Sequence, residues 1–296
     1  MLHFHYSFKI PGKKATNVKR IGILYHPMVE ATQLKTKELQ EFLEARGVSS
    51  WICSAWEREA ALAQLNYTDL ILTVGGDGTI LRAAQAITPR AIPITGVNLG
   101  NLGFMTELNA DNVMEKLPLL LAGEGWIDER TMLEAELLTK GKEPVTFHAL
   151  NDVVAARGAI ARVIYIEASI NDKNFTTYKA DGVVVATPTG STGYALAAGG
   201  PILYPQSPDF LLIPVMPHLN PAFTVVLPPS AVVKLTITTI HEATLSIDGH
   251  INQPLESESI LTVRHSPHTA RFLRINPENS FFHSLEAKLI RKTADA

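Results

Sequence analysis

One cysteine, Cys53, is all that the 296-residue chain carries, which excludes an internal disulfide framework and fits a reducing compartment. With no basic residue beside it, Cys53 reads as a small apolar residue of a strand rather than a nucleophile. Long apolar runs are also lacking. Met1-Leu2-His3-Phe4-His5-Tyr6 is broken by polar residues and does not read as a signal peptide. The most apolar later stretch, Phe210 to Leu227, contains Pro214, Pro217 and Pro221 with His218 and Asn220, which argues against a membrane span. Nor is there an excess of charge: 26 Lys+Arg against 29 Asp+Glu leave a formal net charge of -3, with no long-range attraction for nucleic acid or anionic lipid. A cytoplasmic protein with neither nucleic-acid nor membrane partner is expected, and any anion must be bound locally. The histidines, His265 and His268 included, show no convincing zinc spacing, so no metal held by the protein itself is expected.

What is present is core-forming material, 46% hydrophobic and 19% charged, enough for two domains. Val18 to Tyr25 reads as a strand. Val29 to Arg46 follows as a helix, with Leu39, Phe42 and Leu43 on one face and Gly47 ending it. The alternation continues through a strand from Val48 to Ser54, a helix from Trp56 to Leu65, a strand from Asp69 to Val74, a helix from Gly78 to Ile87 and a strand from Ile92 to Val97. Such spacing implies parallel strands joined by right-handed helical crossovers, an open Rossmann-like α/β sheet whose ligands bind beyond the carboxyl ends of the strands. After a helix near Asp111 to Ala122, kinked by Pro118, the pattern turns to β: Met132 to Thr139, Val145 to Ala149, Val163 to Asn171, Phe175 to Tyr178, Phe223 to Leu227, Val232 to Ile240 and Ala243 to Ile247. Asn171-Asp172-Lys173-Asn174 is a hairpin signal. Ser280 to Arg291 reads as a final helix. The expected division is an α/β domain over residues 1–125, a sandwich-like β domain over 126–275, and a tail, 276–296, packing back on the first.

Four stretches carry chemistry. Leu70 to Val74 runs into Gly75-Gly76-Asp77-Gly78-Thr79 and then opens a helix at Ile80-Leu81-Arg82. Glycines let an anion approach main-chain N–H groups, and a helix start adds positive potential. A tight turn in which Asp77 or Thr79 merely caps the helix would account for the glycines equally well. An aspartate inside a phosphate loop is costly, however, unless it accepts a proton from an attacking hydroxyl or helps hold a cation, and both roles belong to phosphoryl transfer. The spacing is neither Walker A nor the dinucleotide fingerprint. The second stretch, Val97-Asn98-Leu99-Gly100-Asn101-Leu102-Gly103-Phe104, follows the adjacent strand and is expected beside the first, unless it is simply a connector between domains.

The third, Ala149-Leu150-Asn151-Asp152-Val153-Val154, interrupts an apolar strand with an amide and a carboxylate. The pair suits a nucleoside, or else marks a turn or bulge. The fourth runs from Asp181 to Pro201 through Thr187-Pro188-Thr189-Gly190-Ser191-Thr192-Gly193-Tyr194. Hydroxyls and N–H groups at a short helix start can bind phosphate or adenine edges, and Tyr194 offers a flat face, although a well-capped helix with Tyr194 in the core has the same pattern.

Gly75 to Thr79 resembles the signature shared by NAD kinases, diacylglycerol-type lipid kinases and, loosely, phosphofructokinases. All four stretches together resemble the NAD kinase family, over Val18 to at least Gln253. The resemblance implies transfer of the terminal phosphoryl group of ATP or polyphosphate to the adenosine ribose 2′-hydroxyl of NAD, with Mg²⁺ or another divalent cation carried by ATP. It implies Asp77 as general base, Gly75, Gly76, Gly78, Thr79 and Arg82 facing phosphate, and Asp77, Gly78, Phe104, Asn151, Asp152, Lys179, Asp181, Thr189, Thr192, Gly193, Tyr194 and Ala197 lining the NAD pocket. It also implies a homodimer or homotetramer. Three positions depart from the family: Gly193 where Ala is usual, Ala197 where a small hydroxyl residue is common, and Lys179 where relatives acting on NAD often have Arg, which keeps the charge but not the bidentate fork. Ile247-Asp248-Gly249-His250 resembles a late family motif near the nucleotide, with His250 expected in a partly exposed turn. A lipid kinase and a non-catalytic NAD(P)-binding regulator are the rival readings.

Overall fold

The structure, a computed structural model, describes residues 18–100, 103–160, 162–218, 223–278, 280–282 and 285. The first part alternates β1 (Arg20–Tyr25), α1 (Glu30–Glu44), β2 (Ser49–Ser54), α2 (Arg58–Gln64), β3 (Leu70–Val74), α3 (Asp77–Ile87) and β4 (Ile94–Asn98), then β5 (Leu108–Asn109) and α4 (Val113–Leu121), which contains Pro118. The second part has β6 (Trp126–Leu138), β7 (Val145–Ala149), β8 (Asp152–Arg157), β9 (Ile164–Ile170), β10 (Lys173–Ala180), β11 (Gly182–Ala186), a 3-10 turn at Gly190–Thr192 and α5 (Tyr194–Ala197). It continues through β12 (Phe210–Val215), β13 (Val225–Leu227), β14 (Val232–Thr238), β15 (Ala243–Ile247), β16 (Ile251–Leu255) and β17 (Ile260–Arg274).

The strands β4, β3, β1 and β2 lie side by side and parallel. Alternation along β3 sends Ile71 into one core, with Ile80, Ala83 and Phe272, and Leu70, Leu72 and Val74 into another, with Leu39, Leu43 and Leu117. Helix α3 thus covers one face, and α1 and α4 the other. Each fully buried Leu or Ile in β3 contributes roughly 1.5–3 kcal/mol.

That sheet does not stop at β4. Its neighbour is β17, the longest strand, joined in parallel through Phe272↔Ile94, and beyond it come β14, β9 and β10, with β6 and β7 branching from β17. A second, antiparallel sheet, β13-β12-β11-β8-β15-β16, faces this extension. The two share a core that includes Leu133, Ile166, Val183, Leu212, Val233 and Leu245, so the second part is a sandwich grown from the edge of the α/β sheet. The turn between β9 and β10 places Asn171 and Asp172 at φ 51° and 60°, the mirror-image turn that suits a hairpin.

Strands β12, β16 and β17 were not anticipated. Pro214 and Pro254 stand inside β12 and β16, and β17 is broken by a register shift between His265 and Thr269, so none of the three patterns reads as a regular strand. The apolar stretch after Phe210 begins with β12, which is hydrogen-bonded between β11 and β13. Of the expected terminal helix, Ser280, Phe281, Phe282 and Leu285 are helical; its remainder, the N-terminal segment, Asn101 and Leu102 lie outside the described residues. The described tail touches both parts of the molecule. Asn276 accepts from Lys116 and donates to Glu107, while Phe281 and Phe282 pack on Tyr204.

Candidate active site

The ends of β3 and β4 are in register, Val74 opposite Val97, and Gly75 N–H donates to Val97 O at 2.9 Å. The two glycine-containing loops therefore leave the sheet side by side. Gly75 has φ +153°, and a Cβ there would strike the Thr79 hydroxyl. Helix α3 starts at Asp77 with no side-chain cap, so neither Asp77 nor Thr79 serves the capping role that would make this an ordinary turn. Instead, the Asp77 carboxylate reaches the second loop: Oδ2 accepts from Phe104 N–H at 2.9 Å and Oδ1 from Met105 N–H at 3.1 Å. The carboxylate also lies against Gly103, where any Cβ would overlap it. Each oxygen receives one of these N–H groups and keeps lone-pair capacity for another donor.

Two hollows are lined by the neighbours of this half-buried carboxylate, one by Gly76 and Gly78 and the other by its hydrogen-bond partner Phe104. A cavity of about 470 Å³ is lined by Gly76, Gly78, Thr79, Arg82, His26, Trp56 and the Asp248–His250 turn. The unpaired N–H groups of a helix start face such a space. Arg82 lies 4.2 Å over the Trp56 ring, and burial lowers its pKa from the ordinary value. The His250 pKa is also lowered by burial, opposed by its hydrogen bond to Asp248 O. On the far side a smaller pocket of about 200 Å³ is lined by Phe104, Trp126, Tyr204 and Phe281 over a buried ionic floor of Asp128, Arg130, Arg274 and Glu107.

Asn151 and Asp152 do not interrupt one strand; they carry the chain from β7 in the first sheet to β8 in the second. The crossing is held by Asp248, whose carboxylate accepts from Leu150 N–H, Asn151 N–H and Asp152 N–H at 3.0, 2.7 and 3.1 Å and from Gln85 Nε2, on α3, at 3.0 Å. Gln85 Nε2 also donates to His148 O. Burial pushes the Asp248 pKa up against these four bonds. All four partners are donors, so the ionised form is the one that fits. Asp152 is buried beside it, and desolvation together with the Asp248 charge pushes its pKa up to about 7.

Asn151 also meets the fourth stretch. A Cβ on Gly190 would strike the Asn151 backbone, and one on Gly193 would stand 3.7 Å from Asn151 Nδ2 and 3.2 Å from Gly190 O. Thr189 is buried and accepts from Arg130 Nη1 at 3.3 Å; Thr192 Oγ1 donates to Thr189 O. Tyr194 is 46% exposed, not in the core, and Ala197 is exposed. Lys179 and Asp181 are partly buried on or just after β10, Lys179 near the Tyr165 ring and Asp181 ion-paired with Arg157 at 3.1 Å. Among the described residues, neither is hydrogen-bonded or ion-paired to the Asp77 loops. Cys53 is buried, with its thiol pKa raised by burial and by Glu57.

Two descriptions of the ATP-NAD kinase family match, the N-terminal domain over residues 19–125 and the C-terminal domain over 150–275. An NAD kinase of Dehalococcoides mccartyi is 49% identical over 272 residues, spanning 92% of this chain and 96% of that one. The chain belongs to the ATP-NAD kinase family. An NAD kinase of Chloroflexus aggregans is 39% identical over 93% of this chain and 99% of its own length. Among solved structures, an Archaeoglobus fulgidus NAD kinase in complex with ATP superposes with a TM-score of 0.73 at 25% identity, covering 91% of this chain and 98% of that one. Yeast NADH kinase complexed with NADH shares the fold, with a TM-score of 0.84 at 24% identity over 92% and 88%.

The sequence does not single out three parts of this candidate NAD kinase site. Asp248 lies within Ile247-Asp248-Gly249-His250, where the sequence points to His250 and gives no local sign of the carboxylate's partners. Gln85 was hidden on the buried side of α3. The Asp128–Arg130 pair sits two residues apart on one strand face, a readable spacing had β6 been expected to start at Trp126.

Proposed function

We propose that the chain transfers the terminal phosphoryl group of ATP, or of polyphosphate, to the 2′-hydroxyl of the adenosine ribose of NAD. The observation that carries this is the Asp77 carboxylate, fixed by two main-chain N–H groups, with its chain neighbours Gly76 and Gly78 lining one hollow and its partner Phe104 lining the other. Donor phosphates lie in the larger cavity, against the α3 start, with Arg82 and Thr79 facing them. The ribose approaches from the Phe104 side. Asp77 accepts the hydroxyl proton as the 2′-oxygen bonds to the γ-phosphorus. The bond from that phosphorus to the β–γ bridging oxygen breaks, and its electron pair leaves with ADP.

Mg²⁺, when bound to the triphosphate, neutralises developing charge, and the free lone pairs of Asp77 suit it or the hydroxyl. Asn151, Asp152, Lys179, Asp181, Thr189, Thr192, Gly193, Tyr194 and Ala197 belong to the NAD pocket in this reading. Residues 1–125 act as the phosphate-binding unit and 126–275 as the dinucleotide-binding and oligomerising unit, in a cytoplasmic homodimer or homotetramer. The test is to incubate purified protein with Mg²⁺ and ATP or polyphosphate, offering NAD, NADH or diacylglycerol. NADP from NAD, or NADPH from NADH, formed in equal amount to the ADP released from ATP or to the phosphate units lost from polyphosphate supports the reading; phosphatidate, or no product from either dinucleotide, defeats it.

A further inference from the structure

Met105 has two masters. Its N–H donates to Asp77 Oδ1, and its carbonyl accepts from Arg274 Nη1 at 2.6 Å. Arg274, at the end of β17, is 5% exposed and also bonds Glu107 Oε2 and Asp128 Oδ2 at 3.3 and 3.2 Å. Asp128 is gripped in turn by Arg130, through Nε at 2.8 Å and Nη2 at 2.6 Å, and Arg130 Nη1 donates to Thr189 Oγ1. A continuous line of hydrogen bonds therefore runs Asp77–Met105–Arg274–Asp128–Arg130–Thr189. Burial would raise the Asp128 carboxyl, but the bonds and charges of Arg130 and Arg274 outweigh it and hold its pKa below the ordinary value. The four charges of the floor, two of each sign, balance, and buried charges so paired are rigid because breaking any one contact strands its partner.

We propose that Arg274 is a positioning residue: it fixes the loop that aims Asp77 and, through Asp128 and Arg130, sets that loop against Thr189 of the dinucleotide-binding stretch. A guanidinium reaches these partners from separate nitrogens of one rigid plane, Nε to Asp128 and Nη1 to Met105 O and Glu107, whereas a lysine keeps the charge but gathers its donors on one flexible atom and loses the fork. The inference rests on Asp77 being the base, yet its geometric half is measurable without turnover.

The experiment uses full-length wild type and Arg274→Lys, with amide hydrogen exchange at Phe104 and Met105 read beside NADP formation. The variant is expected to exchange these two amides on the order of tenfold faster while the β3 and β11 amides keep their rates. Its kcat is expected to fall on the order of 10- to 100-fold with KM for ATP changed less than about threefold. Unchanged exchange at Met105, or a uniform rise across the whole chain, overturns the positioning role. So does a loss confined to KM. If Arg274→Lys does not fold, Asp128→Asn, which unties the same guanidinium from β6, is expected to show the same local signature, and its absence counts equally against the proposal. A wild type that protects Met105 but makes no NADP removes the kinase reading and leaves the loop-fixing role standing on the exchange result.

Discussion

Gly103 and Asp77 are closely paired, since the carboxylate occupies the space a side chain at 103 would need. Gly103→Ala is expected to push the carboxylate off its two N–H donors and lower kcat on the order of 100-fold, with Tm within about 4 °C of wild type; steady-state kinetics and a thermal melt check both halves. Asp152 gives a pH prediction. Its native pKa of about 7 lies above the ordinary carboxylate value, so between these values the folded state holds a proton that the unfolded state has released. Stability contributed by this group is therefore lost as pH rises toward 7. Urea titrations at pH 5 and pH 8 should show Asp152→Asn gaining on wild type by about 2–3 kcal/mol across that interval; no change in the difference would mean that Asp152 is ionised in the native state at both values.

At the scale of elements, the crossing from β7 to β8 is fastened to α3 by one carboxylate with four donors. Asp248→Asn replaces an acceptor with a group that must also donate, leaving N–H groups unanswered. It should cost about 2–4 kcal/mol in denaturant unfolding, and a loss under about 0.5 kcal/mol would show that the crossing holds without it. The α/β elements and the glycine loops are readable because period and punctuation agree there: β3 is apolar but for Thr73 and stops at Gly75, and α1 buries Leu39 and Leu43. Asn151-Asp152 was visible as an anomaly, but not as a change of sheet, because local pattern carries no sign of which sheet the next strand joins. β17 escaped because its register shift and Pro267 break the alternation that identifies a strand.

On the scale of the whole molecule, β17 turns an α/β sheet and a β sandwich into one continuous structure, bringing Arg274 beneath the loop that holds Asp77. No local signal in the sequence shows that a strand ending at 274 stands beside residue 105; only the long-range pairing of β17 with β4 and β6 does so. The Asp77 carboxylate is consequently linked by hydrogen bonds to groups far apart along the chain. Turnover of Asp77→Asn, measured with ATP, Mg²⁺ and NAD beside direct titration of NAD binding, tests its role most directly. Loss of kcat by about 10²–10⁴-fold with NAD affinity within about threefold is expected of a general base. Near-normal turnover in that variant would contradict the assignment of Asp77 as the group that takes the hydroxyl proton.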